Sequence, residues 1–202
     1  AFDEIKIKFS QNKNVLFKGV TSSGKTEIYI SLINELLNSK NQILFLVPEI
    51  ALTTQLVERL KIYFAKNLVV YHSGLNINQR AELWNEIINN KKPQVIIGAR
   101  SAVLLPYNKL KLIIVDEEHE QSYKQYEPSP RYHARDAALM LGNIHNSNVI
   151  LGSATPSFES FYNSKISKKL SLVELNSRFG NIPLPKIELI NLSDKVKNGK
   201  MY

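Results

Sequence analysis

Gly19-Val20-Thr21-Ser22-Ser23-Gly24-Lys25-Thr26 is the stretch on which the reading of this chain turns. It satisfies the phosphate-loop pattern GxxxxGK[ST], and its neighbours supply the context that pattern needs. Asn14 to Lys18 reads as a strand before it and Lys25 to Asn38 as a helix after it. Small residues let the backbone curl so that its N–H groups surround a phosphate, at a helix N-terminus whose partial positive charge favours anions. All eight residues are expected to bind nucleotide. Lys25 is placed to reach the β- and γ-phosphates, and the Thr26 hydroxyl to ligate Mg²⁺.

Outward from this loop, short apolar runs alternate with amphipathic stretches, the pattern of repeated βαβ units and a mostly parallel sheet. The remaining strands are expected at Gln42 to Val47, Leu68 to Tyr71, Gln94 to Gly98, Lys111 to Asp116 and Asn148 to Gly152. Further helices are expected at Ala51 to Lys66, Asn78 to Asn89, Ala134 to Ile144 and Ser157 to Tyr162. Leu52, Leu56, Leu60 and Phe64 make one apolar stripe at four-residue steps. Two segments break the rhythm: the Tyr-, Gln- and Pro-bearing stretch Glu120 to Tyr132, which reads as a functional loop, and the tail after Leu170. That tail holds two extended runs, Leu170 to Leu175 and Lys186 to Leu192, which suit an edge hairpin or a linker.

A second site follows the fifth strand. Leu112-Ile-Ile-Val-Asp-Glu-Glu-His119 is an apolar strand ending in adjacent carboxylates, where a doubly wound sheet places its functional groups. Asp116 would hold Mg²⁺, mostly through water, and Glu117 would act as general base on the attacking water. The run Gly152-Ser-Ala-Thr-Pro156 also follows a strand, so Ser153 and Thr155 can bond to the acidic motif or sense the γ-phosphate. An equally good local reading makes Thr155 the N-cap of the next helix, with Pro156 at its first position.

Composition narrows the class further. The 202 residues suit one ordinary α/β domain, and 26 Lys+Arg against 18 Asp+Glu give a net charge of +8, which favours a polyanionic partner. Without cysteine there is no disulfide framework, thiolate zinc site or cysteine nucleophile here. His72 and His145 make no metal pattern. No apolar run is long enough to cross a membrane and no signal peptide opens the chain, so it reads as soluble and intracellular. Both ends look cut, so a fragment of a longer chain is expected.

The phosphate loop, Asp116-Glu-Glu-His119 and Ser153-Ala-Thr155 together resemble motifs I, II and III of superfamily 2 helicases. Further matches point to the primosomal replication-restart branch of that superfamily: Val47 to Gln55, His72 to Leu75 with Arg80 and Trp84, Gly98 to Pro106, Ser122 to Gln125, and Arg131 to Asp136. The resemblance runs from about Val15 to Leu192 and departs at Ser22, where that branch usually carries glycine.

It implies a RecA-like P-loop NTPase domain, with helices on both sheet faces, that uses ATP and Mg²⁺. Residues 1–165 would form the first helicase lobe and 166–202 an extension toward a second lobe that supplies an arginine finger. Zinc would belong only to the missing part. The resemblance makes Thr53, Gln55, Arg100 and Ser101 candidate contacts to the single-strand backbone, chemistry these groups suit. The loop His119 to His133 would couple DNA to hydrolysis, with Tyr123, Tyr126 and Tyr132 offering stacking and Lys124 and Arg131 offering charge. The implied partners are single-stranded and forked DNA, other primosome proteins and single-strand-binding protein. The implied activity is a DNA-dependent ATPase and 3′-to-5′ DNA helicase. An RNA helicase, a double-strand translocase and a nucleotide switch that does not unwind stay open as alternatives, although a pure switch needs no base such as Glu117.

Overall fold

In the computed structural model, described for residues 1–38, 40–49, 54–178 and 180 with the side chains of residues 54 and 55 left aside, strand and helix alternate as the sequence pattern predicts. The strands are β1 (Val15–Gly19), β2 (Gln42–Leu46), β3 (Leu68–Tyr71), β4 (Gln94–Gly98), β5 (Leu110–Val115), β6 (Asn148–Ser153) and β7 (Ser171–Leu175). The helices are α1 (Phe2–Ser10), α2 (Lys25–Leu36), α3 (Thr54–Phe64), α4 (Ile77–Asn89), α5 (Ala134–His145) and α6 (Phe158–Lys165).

All seven strands are parallel, in the order β3-β4-β2-β5-β6-β1-β7. Central strands of such a sheet are covered on both faces and so read as continuous apolar runs. Every residue of β2 and β4 is buried. Side chains alternate between two cores. Phe17, Phe45, Leu112 and Ile114 join α1, α2 and α3 on one face. Leu16, Leu44, Ile113 and Val115 join α4, α5 and the short 3-10 turn Arg100–Leu104 on the other. Of the predicted α3 stripe, Leu60 and Phe64 are buried and Leu56 packs against the same core.

One buried polar residue organises the amino edge of the sheet. Gln42 donates to the Ile87 carbonyl and to Gln94, both at 2.8 Å, and accepts from the amides of Asn108 at 2.8 Å and Lys109 at 3.0 Å. All its hydrogen-bonding groups are used, as burial demands.

The tail departs from expectation. Its first run is neither hairpin nor linker but the parallel edge strand β7, paired with β1 from Val15↔Ser171 to Gly19↔Leu175. The chain reaches β7 from β6 through α6, passing over β1 as a parallel arrangement requires. The second run, Lys186 to Leu192, lies outside the described residues.

Candidate nucleotide-binding site

The strand order places β5 and β1 on either side of β6, so the turns leaving β1, β5 and β6 converge at one edge of the sheet. The phosphate loop leaves β1 and enters α2 through Gly24, whose φ of +91° is natural only for glycine. Gly24 provides no side-chain cap for α2, so the helix N-terminus stays available to an anion. Ser22 also sits in the left-handed region, at φ +62°. The glycine expected at this position by resemblance would adopt that geometry without strain.

Thr21 to Thr26 line a cleft of about 670 Å³ together with Glu27, Arg59, Asp116 and Glu117. Lys25 Nζ donates to the Gly19 carbonyl at 3.0 Å and lies 3.8 Å from Glu117 Oε1. Ser23 Oγ is buried with no hydrogen-bond partner, a hydroxyl that suits a phosphate oxygen. Asp116 and Thr26 supply the hard oxygens that a magnesium ion favours, and both face this cleft. The donor set therefore fits Mg²⁺ with a nucleotide.

Burial raises the Asp116 carboxyl to about 6, helped by the adjacent Glu117 and opposed by Lys25 and by a hydrogen bond from Tyr29. That bond, Tyr29 Oη to Asp116 Oδ1 at 3.1 Å, is a contact that sequence reasoning missed. The available signal was spacing: Lys25 and Tyr29 are four residues apart on α2 and share a helix face. Gly152 makes room for it, because a Cβ there would meet the Tyr29 hydroxyl oxygen at 1.8 Å. Glu117 adopts φ +48°, a conformation that a non-glycine residue holds only under tertiary constraint.

The constraint comes from the next two residues. The Glu118 amide donates to the Gly152 carbonyl at 2.9 Å. Its carboxylate, fully buried, accepts from the Ser157 amide at 2.7 Å, the Ser157 hydroxyl at 3.0 Å, the Ser160 hydroxyl at 2.7 Å and Arg135 at 3.3 Å. Neither Glu118 nor Arg135 was legible as a functional residue, since nothing local marks the two as partners across 17 positions. His119 closes the motif, its Nδ1 2.8 Å from Ser153 Oγ and its Nε2 3.4 Å from Thr155 Oγ1. Ser153 and Thr155 thus bond to the acidic motif. The alternative in which Thr155 caps the next helix gives way, because Ser157 is the N-cap of α6, accepting from the Ser160 amide.

The loop after the acidic motif folds back on itself through a bridge between Lys124 and His133 and through Gln125 N–H donating to the Tyr132 carbonyl at 2.8 Å. Tyr123 does not present a face for stacking. It is fully buried, and its hydroxyl donates to the Asp116 carbonyl at 2.7 Å. Tyr126 is exposed instead, with the Lys124 ammonium 4.8 Å from its ring centroid, and Arg131 is exposed at the tip. Arg100 donates to the Ser122 carbonyl at 3.3 Å and the Lys124 carbonyl at 3.0 Å, holding the loop against the 3-10 turn, where Ser101 is exposed. A second cleft of about 590 Å³ opens beside Glu49, Val57, Lys61, His72 and Ser73. Thr53 and the Gln55 side chain lie outside the described residues.

A parallel sheet with a phosphate loop and a paired acidic motif facing one cleft defines a P-loop nucleotide-binding domain. Residues 1–163 match the family model described as DEAD/DEAH box helicase, and the chain belongs to that family. Among curated relatives, the chain is similar to the replication restart protein PriA of Bacillus subtilis, 39% identical over 201 residues that cover 98% of this chain and 25% of the relative. The PriA of Haemophilus influenzae is 45% identical over 185 residues, covering 91% and 25%. The chain therefore spans about a quarter of the length of the curated relatives it matches. A solved structure described as Mycobacterium smegmatis helicase Lhr bound to ssDNA and AMP-PNP shares the fold at a TM-score of 0.60 with 19% identity, covering 87% of this chain and 25% of that one. Among the described residues no helix is long and apolar enough to cross a membrane.

Proposed function

We propose that this chain is the ATP-binding lobe of a DNA-dependent ATPase and 3′-to-5′ DNA helicase that acts in primosome assembly and replication-fork restart. The observation that carries the reading is the convergence of Lys25, Thr26, Asp116 and Glu117 on one cleft, with Lys25 and Glu117 3.8 Å apart. Similarity to PriA proteins supplies the replication-restart context.

The phosphate loop orients the triphosphate, and Lys25 offsets negative charge as the terminal phosphoryl group departs. Glu117 takes the proton of the attacking water. Thr26 and Asp116 would hold Mg²⁺, which when bound neutralises charge on the β- and γ-phosphates. Tyr29 keeps Asp116 oriented, and His119 links the acidic motif to Ser153 and Thr155.

Single-stranded or forked DNA would meet Lys124, Tyr126 and Arg131 on the outer side of the loop, with Arg100, Ser101, Thr53 and Gln55 along the same path. Tyr123 would then act as the inner end of a coupling route, since it touches the backbone of Asp116. Other primosome proteins and single-strand-binding protein are proposed partners, a second lobe is proposed to follow residues 166–202, and zinc is assigned to a remote part of the parent protein. The nucleoid is the proposed location.

The test is Lys25→Ala in a full-length parent: ATP-dependent unwinding and DNA-stimulated ATPase should both be lost. Hydrolysis near the wild-type rate would sink the assignment. The 202-residue chain by itself should bind nucleotide but turn it over little, for want of the arginine finger from a second lobe.

A further inference from the structure

We propose that Arg59 is a second cation of the nucleotide cleft, engaging the terminal phosphate of a bound triphosphate in exchange for Glu27; the inference rests on the reading of this cleft as an ATP site. Arg59 belongs to α3, outside every recognised motif, yet it lines the cleft beside Thr21 to Thr26, Asp116 and Glu117. Its guanidinium pairs with the carboxylate of Glu27, the residue that follows Thr26 in the first turn of α2.

Three features make this more than a surface ion pair. The first is charge. The lining residues hold three carboxylates, Glu27, Asp116 and Glu117, against two cations, Lys25 and Arg59. Lys25, the cation of the phosphate loop, is partly buried and shares its charge with Glu117 at 3.8 Å. A polyanion entering this cleft therefore gains a second positive group in Arg59.

The second is direction. Helix α3 follows β2, and β2 neighbours β5, the strand that ends in Asp116 and Glu117. Arg59 thus comes from a helix on the β2 side of the cleft and meets there the first turn of α2, which leaves the phosphate loop. The phosphoryl group on which Glu117 is to direct water would lie in this same cleft, which Arg59 and Glu117 both line.

The third is exchangeability. The Arg59 and Glu27 side chains are 47% and 53% exposed, and exposed pairs of this kind are held weakly. A guanidinium also matches phosphate oxygens in a two-pronged geometry that a point charge does not reproduce. Loss of Arg59 should therefore cost more with a triphosphate than with a diphosphate, which ends before this position.

The experiment measures affinity of the 202-residue chain for Mg-bound β,γ-imido ATP and for MgADP by calorimetry. Wild type is compared with Arg59→Ala, Arg59→Lys, Glu27→Gln and, as a reference, Lys25→Ala. Circular dichroism confirms that each variant is folded. Arg59→Ala should weaken the triphosphate analogue about tenfold, the scale of one charge-assisted hydrogen bond, and leave MgADP within about twofold. Arg59→Lys should recover part of the loss. Glu27→Gln, which frees the guanidinium, should tighten the triphosphate and not the diphosphate. Equal weakening of both nucleotides by Arg59→Ala, or no weakening of either, would overturn the assignment. If Lys25→Ala instead binds both nucleotides like wild type, the ATP reading of the cleft falls, and the role of Arg59 falls with it.

Discussion

Four consecutive residues, Asp116 to His119, divide between two sides of the molecule. Asp116 and Glu117 face the cleft lined by the phosphate loop, one raised to about 6 and the other held at φ +48°. Glu118 and His119 face β6 and α6, where Glu118 takes four hydrogen bonds and His119 bridges two hydroxyls. The first pair carries a desolvated carboxyl and a strained backbone that the proposed chemistry would use. The second pair is satisfied throughout and supplies the rigidity that holds the first pair in place. On the proposed reading, adjacent carboxylates of identical type serve opposite purposes, and only their surroundings separate them.

The comparison can be broken most directly at the two neighbouring glutamates. Glu117→Gln in a full-length parent should lower ATP turnover by roughly 10²- to 10⁴-fold, the usual contribution of a general base, while nucleotide affinity and thermal stability stay near wild type. Loss of affinity along with turnover would make Glu117 a structural residue and erase the distinction.

Glu118→Ala should do the reverse at the level of stability. Arg135 keeps its pair with Asp136 at 2.9 Å, but the Ser157 and Ser160 donors lose their buried acceptor, so a loss of about 1–3 kcal/mol is expected in denaturant unfolding. Glu118→Gln keeps the shape and part of the bonding, and should recover much of that loss. An unchanged unfolding midpoint in the alanine variant would show that the buried network holds nothing together.

The pH dependence of Asp116 sharpens the contrast. Its folded-state value of about 6 lies above the ordinary carboxyl value of 3.8, so across that window the folded protein binds more protons than the unfolded chain. Its contribution to stability is therefore largest at low pH and is lost as pH rises through about 6. Mg²⁺ requires the ionised carboxylate, so magnesium-dependent nucleotide affinity should run the other way and fall as pH drops through about 6. Asp116→Asn should flatten both trends. Titration of stability and of Mg-nucleotide affinity from pH 5 to 8 checks the two together.

Two smaller effects complete the series. Tyr123→Phe removes one buried hydrogen bond to Asp116 and should cost about 0.5–1.5 kcal/mol. In a full-length parent it should lower DNA-stimulated ATPase more than DNA-independent ATPase, whereas equal loss of both rates would leave Tyr123 with packing alone. Ser22→Gly relieves a left-handed serine in the phosphate loop. It should raise stability by at most about 1 kcal/mol, because relief of native strain is offset by greater freedom of the unfolded chain. A lower melting temperature would show that the Ser22 side chain contributes more than its backbone strain takes away.

What the sequence determined by itself is whatever depends on neighbours along the chain. The apolar runs located six strands to within a residue or two, because strands buried on both faces must be apolar throughout. The phosphate loop was legible because backbone curvature, helix start and lysine all lie within eight residues. Asp116 and Glu117 were legible because strand ends in such sheets point to one edge. Tertiary structure alone decided the rest, where partners are distant in sequence and burial is the discriminator. It placed Ser171–Leu175 as a parallel edge strand. It turned Tyr123 from an expected stacking group into a buried donor to Asp116. It brought Tyr29 through the space left by Gly152, and it assembled Glu118 with Arg135, Ser157 and Ser160. A residue's type sets which bonds it can make, but which of those bonds water is excluded from is a property of the packed fold.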